Sequence, residues 1–172
     1  MIGKKVLFVC FVLASCQEAE QVGESRFQDI RGFFVKEVKR LEKQKITVDK
    51  IVRRNGISER QENISPVWNT ELSLFSESDI NKPAWRESYR VHKDSTIISY
   101  TALDNKRRTR AIRIKRNKMG KLIELAVVNR TSNYLYSSSE ELLYIPDSLY
   151  RIIKMQNVIL LGKNSYEITG VF

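Results

Sequence analysis

Residues 108–129 read RTRAIRIKRNKMGKLIELAVVN, and this stretch decides the fold. Residues 108–116 and residues 122–129 each predict a β-strand, because apolar and β-branched residues recur through both. Between them, the Asn-Lys-Met-Gly-Lys segment at 117–121 predicts a short turn that contains glycine. Two strands joined by so few residues are antiparallel neighbours, so we expect a sheet that is built from hairpins.

More strands with tight turns lie on both sides of this hairpin. They are predicted at residues 87–93, 96–103, 134–137, 141–145, 150–155, 158–161 and 166–172. Upstream, apolar and polar residues alternate over residues 46–52, Asn55-Gly56 follows, and residues 57–64 predict the return strand. Asn-Gly is a strong hairpin signal because it supplies two positions of positive φ. Short strands in succession predict an antiparallel meander.

Two helices are expected to cover the apolar face of this meander. The first is predicted over residues 26–44, where apolar residues recur every three or four positions. This stripe consists of Phe27, Ile30, Phe34, Val38 and Leu41. A second helix is predicted to begin at Ser65-Pro66, with serine as the N-cap, and to end at residues 81–83. The fold class is therefore α+β, with an N-terminal amphipathic helix and a second short helix on a curved antiparallel meander.

Length and composition indicate one folded domain. The chain has 172 residues, of which 42% are hydrophobic and 29% charged, as in ordinary globular proteins. Lysine and arginine outnumber the acids, which gives a formal net charge of +10. Such an excess keeps a protein soluble or attracts polyanions, and both explanations stay open.

The N-terminal segment reads MIGKKVLFVCFVLASC. Two lysines precede an apolar run, residues 6–14, that is too short to span a bilayer as a permanent helix. The segment ends in Leu13-Ala14-Ser15-Cys16, which resembles the lipobox of bacterial lipoproteins. This resemblance implies a cleavable signal peptide over residues 1–15 and acyl chains, palmitate among them, on Cys16. Several acyl chains anchor a protein stably, so the expected partner of this segment is a membrane.

Residues 16–25 contain acids and no basic residue before residue 26, and we interpret them as a tether that precedes a single domain over residues 26–172. The acidic segment resembles the surface-export signal of Bacteroidetes lipoproteins. The stretches at 78–86 and 146–151 are similar to those of small Bacteroidetes lipoproteins to which no activity is attached. The resemblance implies an outer-membrane location, facing either the periplasm or the cell surface.

Residues that commonly carry chemistry are sparse. No cysteine follows Cys16, and His92 is the one histidine of the chain, so neither a disulfide nor a multi-histidine metal site is expected. We predict that His92 lies at the surface or on an edge strand. No glycine-rich phosphate loop or nucleophile elbow occurs. The interpretation is a protein that is not an enzyme and holds no cofactor and no metal. A third alternative, a hydrolase, would need a cleft with convergent carboxylates.

The densest unusual feature is the run from Lys106 to Lys121, which holds nine basic residues and no acid. The residues we select as candidate anion-binding residues are Arg108, Arg110, Arg113, Lys115 and Arg116. Expected partners are an anionic glycolipid, a polysaccharide or an envelope protein. Nucleic acid is not expected, because an exported protein meets little of it. Alternatively, the charges only keep the sheet soluble and protect its edge.

Two functions follow from these observations. The leading hypothesis is a lipid-anchored accessory protein of the cell envelope that acts by binding, through its basic hairpin, an anionic envelope component or a partner protein. The order of elements, a helix followed by a meander, also resembles the half-barrel of periplasmic lipoprotein carriers. That resemblance implies the alternative, a carrier of an acyl chain or another apolar ligand. Its cavity would be lined by residues such as Phe34, Leu41, Trp68 and Phe75.

Overall fold

The computed structural model describes residues 26–172, so Cys16, the predicted signal peptide and the tether lie outside the described residues. The described chain forms an open, nine-stranded antiparallel sheet with a few short helices, as expected for the α+β class. Its elements are α1 (Ile30–Lys43), β1 (Val48–Arg54), β2 (Ile57–Ile64), α2 (Trp68–Glu71), α3 (Ser73–Ser76), a 3-10 turn (Pro83–Trp85), β3 (Tyr89–Lys93), β4 (Ile97–Ala102), β5 (Thr109–Arg116), β6 (Leu122–Ser132), β7 (Tyr136–Ile145), β8 (Leu149–Val158) and β9 (Gly162–Val171).

The strands lie in the order β2-β1-β9-β8-β7-β6-β5-β4-β3. Strands β3 to β9 therefore form the predicted meander, in which each strand pairs with the next. The β1–β2 hairpin joins the far side of β9, with Asp49 opposite Val171 and Arg54 opposite Tyr166. The two edge strands, β2 and β3, carry mostly exposed and often charged residues, which disfavours pairing with another sheet.

The β1–β2 turn is the one predicted from Asn55-Gly56. Both residues adopt positive φ, 49° and 88°, as a type I′ turn requires. The register places Arg54 opposite Ile57, so the loop has two residues. The sequence therefore predicted this hairpin correctly, including the bounds of its return strand.

One face of the sheet is covered by the helices, and we call it the inner face. Ile112, Val127 and Leu142 lie side by side on it, on β5, β6 and β7, and all three are buried. Helix α1 packs its apolar stripe on this face, as predicted, but it begins at Ile30, so Phe27 of the predicted stripe lies before the helix. The Phe34 ring lies 5.2 Å from the Tyr144 ring on β7, and Leu41 is fully buried. The opposite face, which we call the outer face, carries no helix among residues 26–172.

Two carboxylates hold the N-terminus of α1. Asp29 is the N-cap and accepts a hydrogen bond from the Gly32 amide at 2.7 Å. Asp79, which follows α3, accepts from the amides of Ile30 and Arg31 at 2.9 and 3.1 Å. Negative charge is favourable here because the unpaired amides at a helix N-terminus carry partial positive charge. Asp79 thus joins the start of the helix to the segment after α3.

The second helix differs from its prediction. It begins at Trp68, not at Ser65-Pro66, and Val67 is its N-cap residue without a side-chain cap. It is also broken into two short helices, α2 and α3, around Leu72. The apolar spacing was nevertheless informative, since Trp68, Leu72 and Phe75 are all buried. The side chains face the core although the backbone does not sustain one continuous helix.

Two predicted strand boundaries in the meander are also wrong. Residues 134–137 and 141–145 were expected as separate strands, but β7 runs without interruption from Tyr136 to Ile145. Residues 158–161 were expected as a strand, but Val158 ends β8 and residues 159–161 form the loop before β9. Polar serines suggested a break where there is none, and an apolar run suggested a strand at a turn.

The four residues expected to line an apolar cavity are instead packed in the core. Phe34, Leu41, Trp68 and Phe75 are each at most 2% exposed. The rings of Phe34 and Phe75 lie 5.0 Å apart, and Trp68 stacks on Phe172 at 5.6 Å. These side chains fill the space between helix and sheet with one another, so a ligand site has to be sought elsewhere on the inner face.

Candidate functional site

The inner face changes from apolar to polar along strand β7. Its inward positions are Tyr144 and Leu142, followed by Glu140 and Ser138, and all four are buried. The apolar part lies under α1, where the Tyr144 hydroxyl donates to Glu37 at 2.5 Å. The polar part contains a buried carboxylate with two cationic partners, and it is our candidate site.

At the centre of this polar part is a buried carboxylate, that of Glu140. Asn129 on β6 and Lys154 on β8 are its cross-strand partners. Glu140 accepts hydrogen bonds from Arg108 at 2.6 Å and from the Asn129 amide at 3.2 Å, and it pairs with the Lys154 ammonium at 3.2 Å. We call these four residues the Glu140 cluster.

The Glu140 cluster carries one negative charge and two positive charges. Burial raises the pKa of Glu140, but the charge of Arg108 and the hydrogen bonds of Lys154 and Asn129 outweigh it, so the pKa lies below its ordinary value. The carboxylate is therefore ionised at neutral pH. Its side chain is 7% exposed, while those of Arg108 and Lys154 are 32% and 28% exposed. The cluster thus has an excess of one positive charge on its accessible side.

Hydrogen bonds join the cluster to the end of α3. The Asn129 amide also donates to the Ser78 hydroxyl at 2.9 Å, and that hydroxyl donates to the Leu74 carbonyl at 2.7 Å. Two buried polar atoms, Oδ1 of Asn129 and Oγ of Ser138, make no hydrogen bond within the part of the chain that the structure describes. Buried polar groups are usually paired, so these two atoms are still available for a hydrogen bond to a bound partner.

A groove opens beside the cluster, between the short helices and strands β8 and β9. Its volume is about 400 Å³. Apolar side chains line much of it, with Lys154 and Glu71 among its polar members. The lining residues are Thr70, Glu71, Ser73, Leu74, Ile152, Lys154, Gln156, Tyr166 and Ile168. A groove of this size, in which apolar side chains and several polar groups meet, has the character of a small-molecule site.

A partly buried ion pair holds the helical wall of this groove against the sheet. Glu71 on α2 pairs with Lys50 on β1 at 2.7 Å and accepts a hydrogen bond from the Tyr150 hydroxyl at 2.8 Å. Burial, followed by the hydrogen bond to Glu71, raises the pKa of Tyr150 well above its ordinary range, so the phenol keeps its proton. An ion pair to β1 and a hydrogen bond to β8 therefore hold this wall in place.

The five candidate anion-binding residues do not converge on one surface. Arg113 and Lys115 are exposed on the outer face, as their alternation with Ile112 and Ile114 predicted. Arg108 lies in the Glu140 cluster.

The guanidinium groups of Arg110, Arg113 and Arg116 also make contacts within the chain. Arg110 donates to the carbonyls of Asp104 and Asn105, and Arg113 pairs with Glu124 at 2.7 Å. Arg116 donates to the Gly120 carbonyl and to the Gln28 side chain. Lys115 alone of the five has neither a side-chain hydrogen bond nor an ion pair within residues 26–172, and only Arg108 and Arg113 form ion pairs.

The residue types that commonly carry chemistry form no second site among residues 26–172. His92 is exposed on the edge strand β3, which matches its predicted position. Within residues 26–172 no group of three or more histidine, cysteine or acidic side chains is arranged to hold a metal ion. The same residues include no helix that is both long enough and apolar enough to cross a bilayer.

The Glu140 cluster was not predicted, although the sequence contained a usable signal. Ser138, Glu140, Leu142 and Tyr144 alternate with residues of the outer face at the period of a strand. Continuing that period through the serines would have placed Glu140 on the inner face. Its partner Arg108 is 32 positions away, and no local pattern connects the two.

No family model matches this chain, and it matches neither a curated protein nor a solved structure.

Proposed function

We propose that the protein is a lipid-anchored binding protein of the cell envelope, and that its ligand lies in the groove beside the Glu140 cluster. The ligand proposed is amphipathic, with an acyl chain or similar apolar part and an acidic group. This is a carrier function rather than a catalytic one. We further propose that the sheet curves around its helices as a half-barrel, which would leave the polar end of the inner face accessible.

The observation that carries this proposal is the pairing of an apolar groove with a cluster of net positive charge. Ile152, Leu74 and Ile168 offer apolar surface for a chain, while Lys154 lines the same groove and belongs to the cluster. A carboxylate or phosphate beside Lys154 would neutralise the excess charge of the cluster. Because Lys154 is partly shielded from water, such a contact is stronger than one between fully exposed groups.

The test uses full-length protein reconstituted in vesicles and a photoreactive, alkyne-tagged palmitic acid. After irradiation, mass spectrometry locates the labelled peptides. We expect label on the groove residues of β8 and β9, above all Ile152 and Ile168, and not on residues 159–161 of the loop between these strands. The tagged palmityl alcohol should label them about fivefold less, because it lacks the charge that Lys154 attracts.

Two variants make this test specific. Ile168→Glu places a charge in the groove and should abolish the label. Thr169→Glu, the matched control, places the same charge on the outer face opposite Arg151 and should keep it. Equal labelling of both variants, or label confined to other peptides, would contradict the groove as the ligand site.

The anchor part of the proposal rests on Cys16 and its resemblance to a lipobox. Mass spectrometry of the mature N-terminus should find a diacylglyceryl group on Cys16 and no residues before it. The Cys16→Ala variant should lack the acyl mass and remain unprocessed. An intact, unacylated N-terminus in the parent protein would contradict the anchor and leave the groove test unaffected.

The exposed basic residues of the outer face support a second candidate, the docking of an anionic envelope component. Arg113 and Lys115 project from β5, and Lys118 is exposed in the turn that follows. Reversing the charges of Arg113 and Lys115 should abolish binding to immobilised lipopolysaccharide while the thermal unfolding midpoint stays within a few degrees. Unchanged binding would refute this candidate. We favour the groove, because most of the candidate arginines already have partners within the chain.

A further inference from the structure

One end of the sheet exposes large apolar side chains on consecutive hairpin loops. Leu160 in the β8–β9 loop is 91% exposed, and Tyr134 in the β6–β7 loop is 90% exposed. Leu135, Ile159 and Leu161 are exposed beside them. We call residues 133–135 and 159–161 the apolar loops. Isolated exposed apolar residues are ordinary in proteins, but five on two adjacent loops form a patch.

The apolar loops are held together and away from the core. The Ile159 amide donates to the Leu135 carbonyl at 3.1 Å, which joins one loop to the other. The Asn133 side chain accepts from the amides of Leu135 and Tyr136, and this fixes the turn in the β6–β7 loop. The Leu161 amide donates to the Val158 carbonyl at 3.1 Å. Each loop therefore has a defined shape that directs its apolar side chains outward.

Positive charge lies directly behind the apolar loops. Residues 130–139 and 155–166 include two basic residues, Arg130 and Lys163, and no acid. Neither cation forms an ion pair with any residue from 26 to 172. Both line a groove of about 570 Å³ whose other members are mostly serine, threonine and asparagine side chains. Moving inward from the loop tips, the surface thus changes from apolar to cationic and hydrogen-bonding.

We propose that this end of the sheet inserts its apolar loops into the surface of an anionic lipid bilayer. The order of groups matches that of a lipid layer, where the acyl chains lie beneath a plane of phosphates. Leu160 and its neighbours enter the acyl region, Arg130 and Lys163 meet the phosphates, and the polar groove takes a headgroup. The proposal is independent of the inner-face groove and of the acyl chains on Cys16.

The charge of the loop end favours a bilayer over a protein partner or a second copy of the chain. A second copy would bring its own Arg130 and Lys163 against the same pair and would therefore be repelled. An anionic headgroup instead neutralises both cations at once, and the small hydroxyl side chains between them leave room for it. The apolar groups are loop tips rather than a flat strand face, which suits insertion between lipids.

The test places a photocrosslinking benzophenone amino acid at position 160 of the full-length protein. The matched control carries it at Met119, which is 88% exposed in the loop between β5 and β6, at the opposite end of the sheet. Both proteins are reconstituted in phosphatidylcholine vesicles with or without phosphatidylglycerol, irradiated and analysed by mass spectrometry. Circular dichroism and thermal melting confirm that both are folded.

We expect phospholipid adducts at position 160, few or none at position 119, and more adducts when phosphatidylglycerol is present. The Arg130→Glu, Lys163→Glu variant should lower the yield at position 160 about tenfold in the anionic vesicles. The proposal is overturned by equal lipid adducts at both positions, by no lipid adduct at position 160, or by crosslinks from position 160 to a second copy of the chain. None of these outcomes bears on the palmitic acid test of the inner groove.

Discussion

The substitution Glu140→Gln removes the charge at the centre of the Glu140 cluster and preserves its shape. Arg108 and Lys154 then lie near each other without their shared carboxylate, and an amide replaces it. Breaking a buried ion pair by removing one partner costs about 3–5 kcal/mol. Here both cations keep contact with water, since about 30% of each side chain is exposed. We therefore expect the free energy of unfolding to fall by about 2 kcal/mol at neutral pH.

The effect of this substitution should depend on pH in a defined direction. Because the folded-state pKa of Glu140 is lowered, its carboxylate stabilises the fold above the ordinary glutamate pKa of about 4.3. That stabilisation is lost as the pH falls through the folded-state pKa. The difference between parent and Glu140→Gln should thus be complete at neutral pH and shrink in acid, where the parent carboxyl is protonated too.

Urea unfolding of the full-length protein, followed by tryptophan fluorescence, measures this difference because Trp68 is buried in the fold. Glu141→Gln is the matched control, since Glu141 is the next residue of β7, on the outer face and exposed. It should change the free energy of unfolding by less than about 0.5 kcal/mol. The reasoning is refuted if both variants behave alike, or if the loss in Glu140→Gln is the same in acid as at neutral pH.

Two further substitutions, one of them with a matched control, test how the core is packed. In Gly170→Ala, the new Cβ would lie 2.2 Å from the buried ring of Tyr150, so we expect thermal melting to show a loss of about 2–3 kcal/mol. Gly162→Ala, at a φ of 78° with no atom within 4 Å, should cost only about 1 kcal/mol, and equal losses would exclude the steric explanation. Tyr144→Phe deletes the 2.5 Å hydrogen bond to Glu37 and should cost about 1–2 kcal/mol in urea unfolding. No change would mean that Glu37 finds another donor.

The sequence predicted those features of the fold that depend on neighbours along the chain. Asn55-Gly56 specifies its own turn through backbone conformation, and the helical stripe of Phe34 and Leu41 follows from the period of the helix. The alternation of Ile112 and Arg113 likewise assigned each side chain to its face. Each of these inferences needs only a few consecutive residues.

The predictions that were wrong concern features that depend on contacts between neighbouring strands. A break was expected at residues 138–140, yet Ser138, Ser139 and Glu140 lie within β7, on a part of the sheet where polar side chains are tolerated. Residues 159–161 suggested a strand because they are apolar, yet they form an exposed loop. In both cases secondary structure was inferred from the polarity of the residues. Polarity instead indicates whether a side chain lies in a polar or an apolar environment.

The candidate site could not be predicted from residues that are close in sequence, for a similar reason. A run of arginines in sequence suggested one basic surface, but Arg108 turns toward Glu140 and Arg113 toward Glu124. These acids come from other strands, and their approach depends on register. Charge counted along the chain therefore overestimates the charge that a folded surface presents.

The pairing of β1 with β9 has a consequence for how the chain is made. Hairpins from β3 to β9 can form one after another, because each strand follows its partner directly. The β1–β2 hairpin must wait, since its partner β9 is synthesised after β3 to β8. Until β9 has been made, the edge of β1 that faces away from β2 has no partner strand for its backbone hydrogen bonds. Truncation of the chain before β9 would therefore separate this hairpin from the sheet, so the hairpin can join the sheet only after β9 has been made.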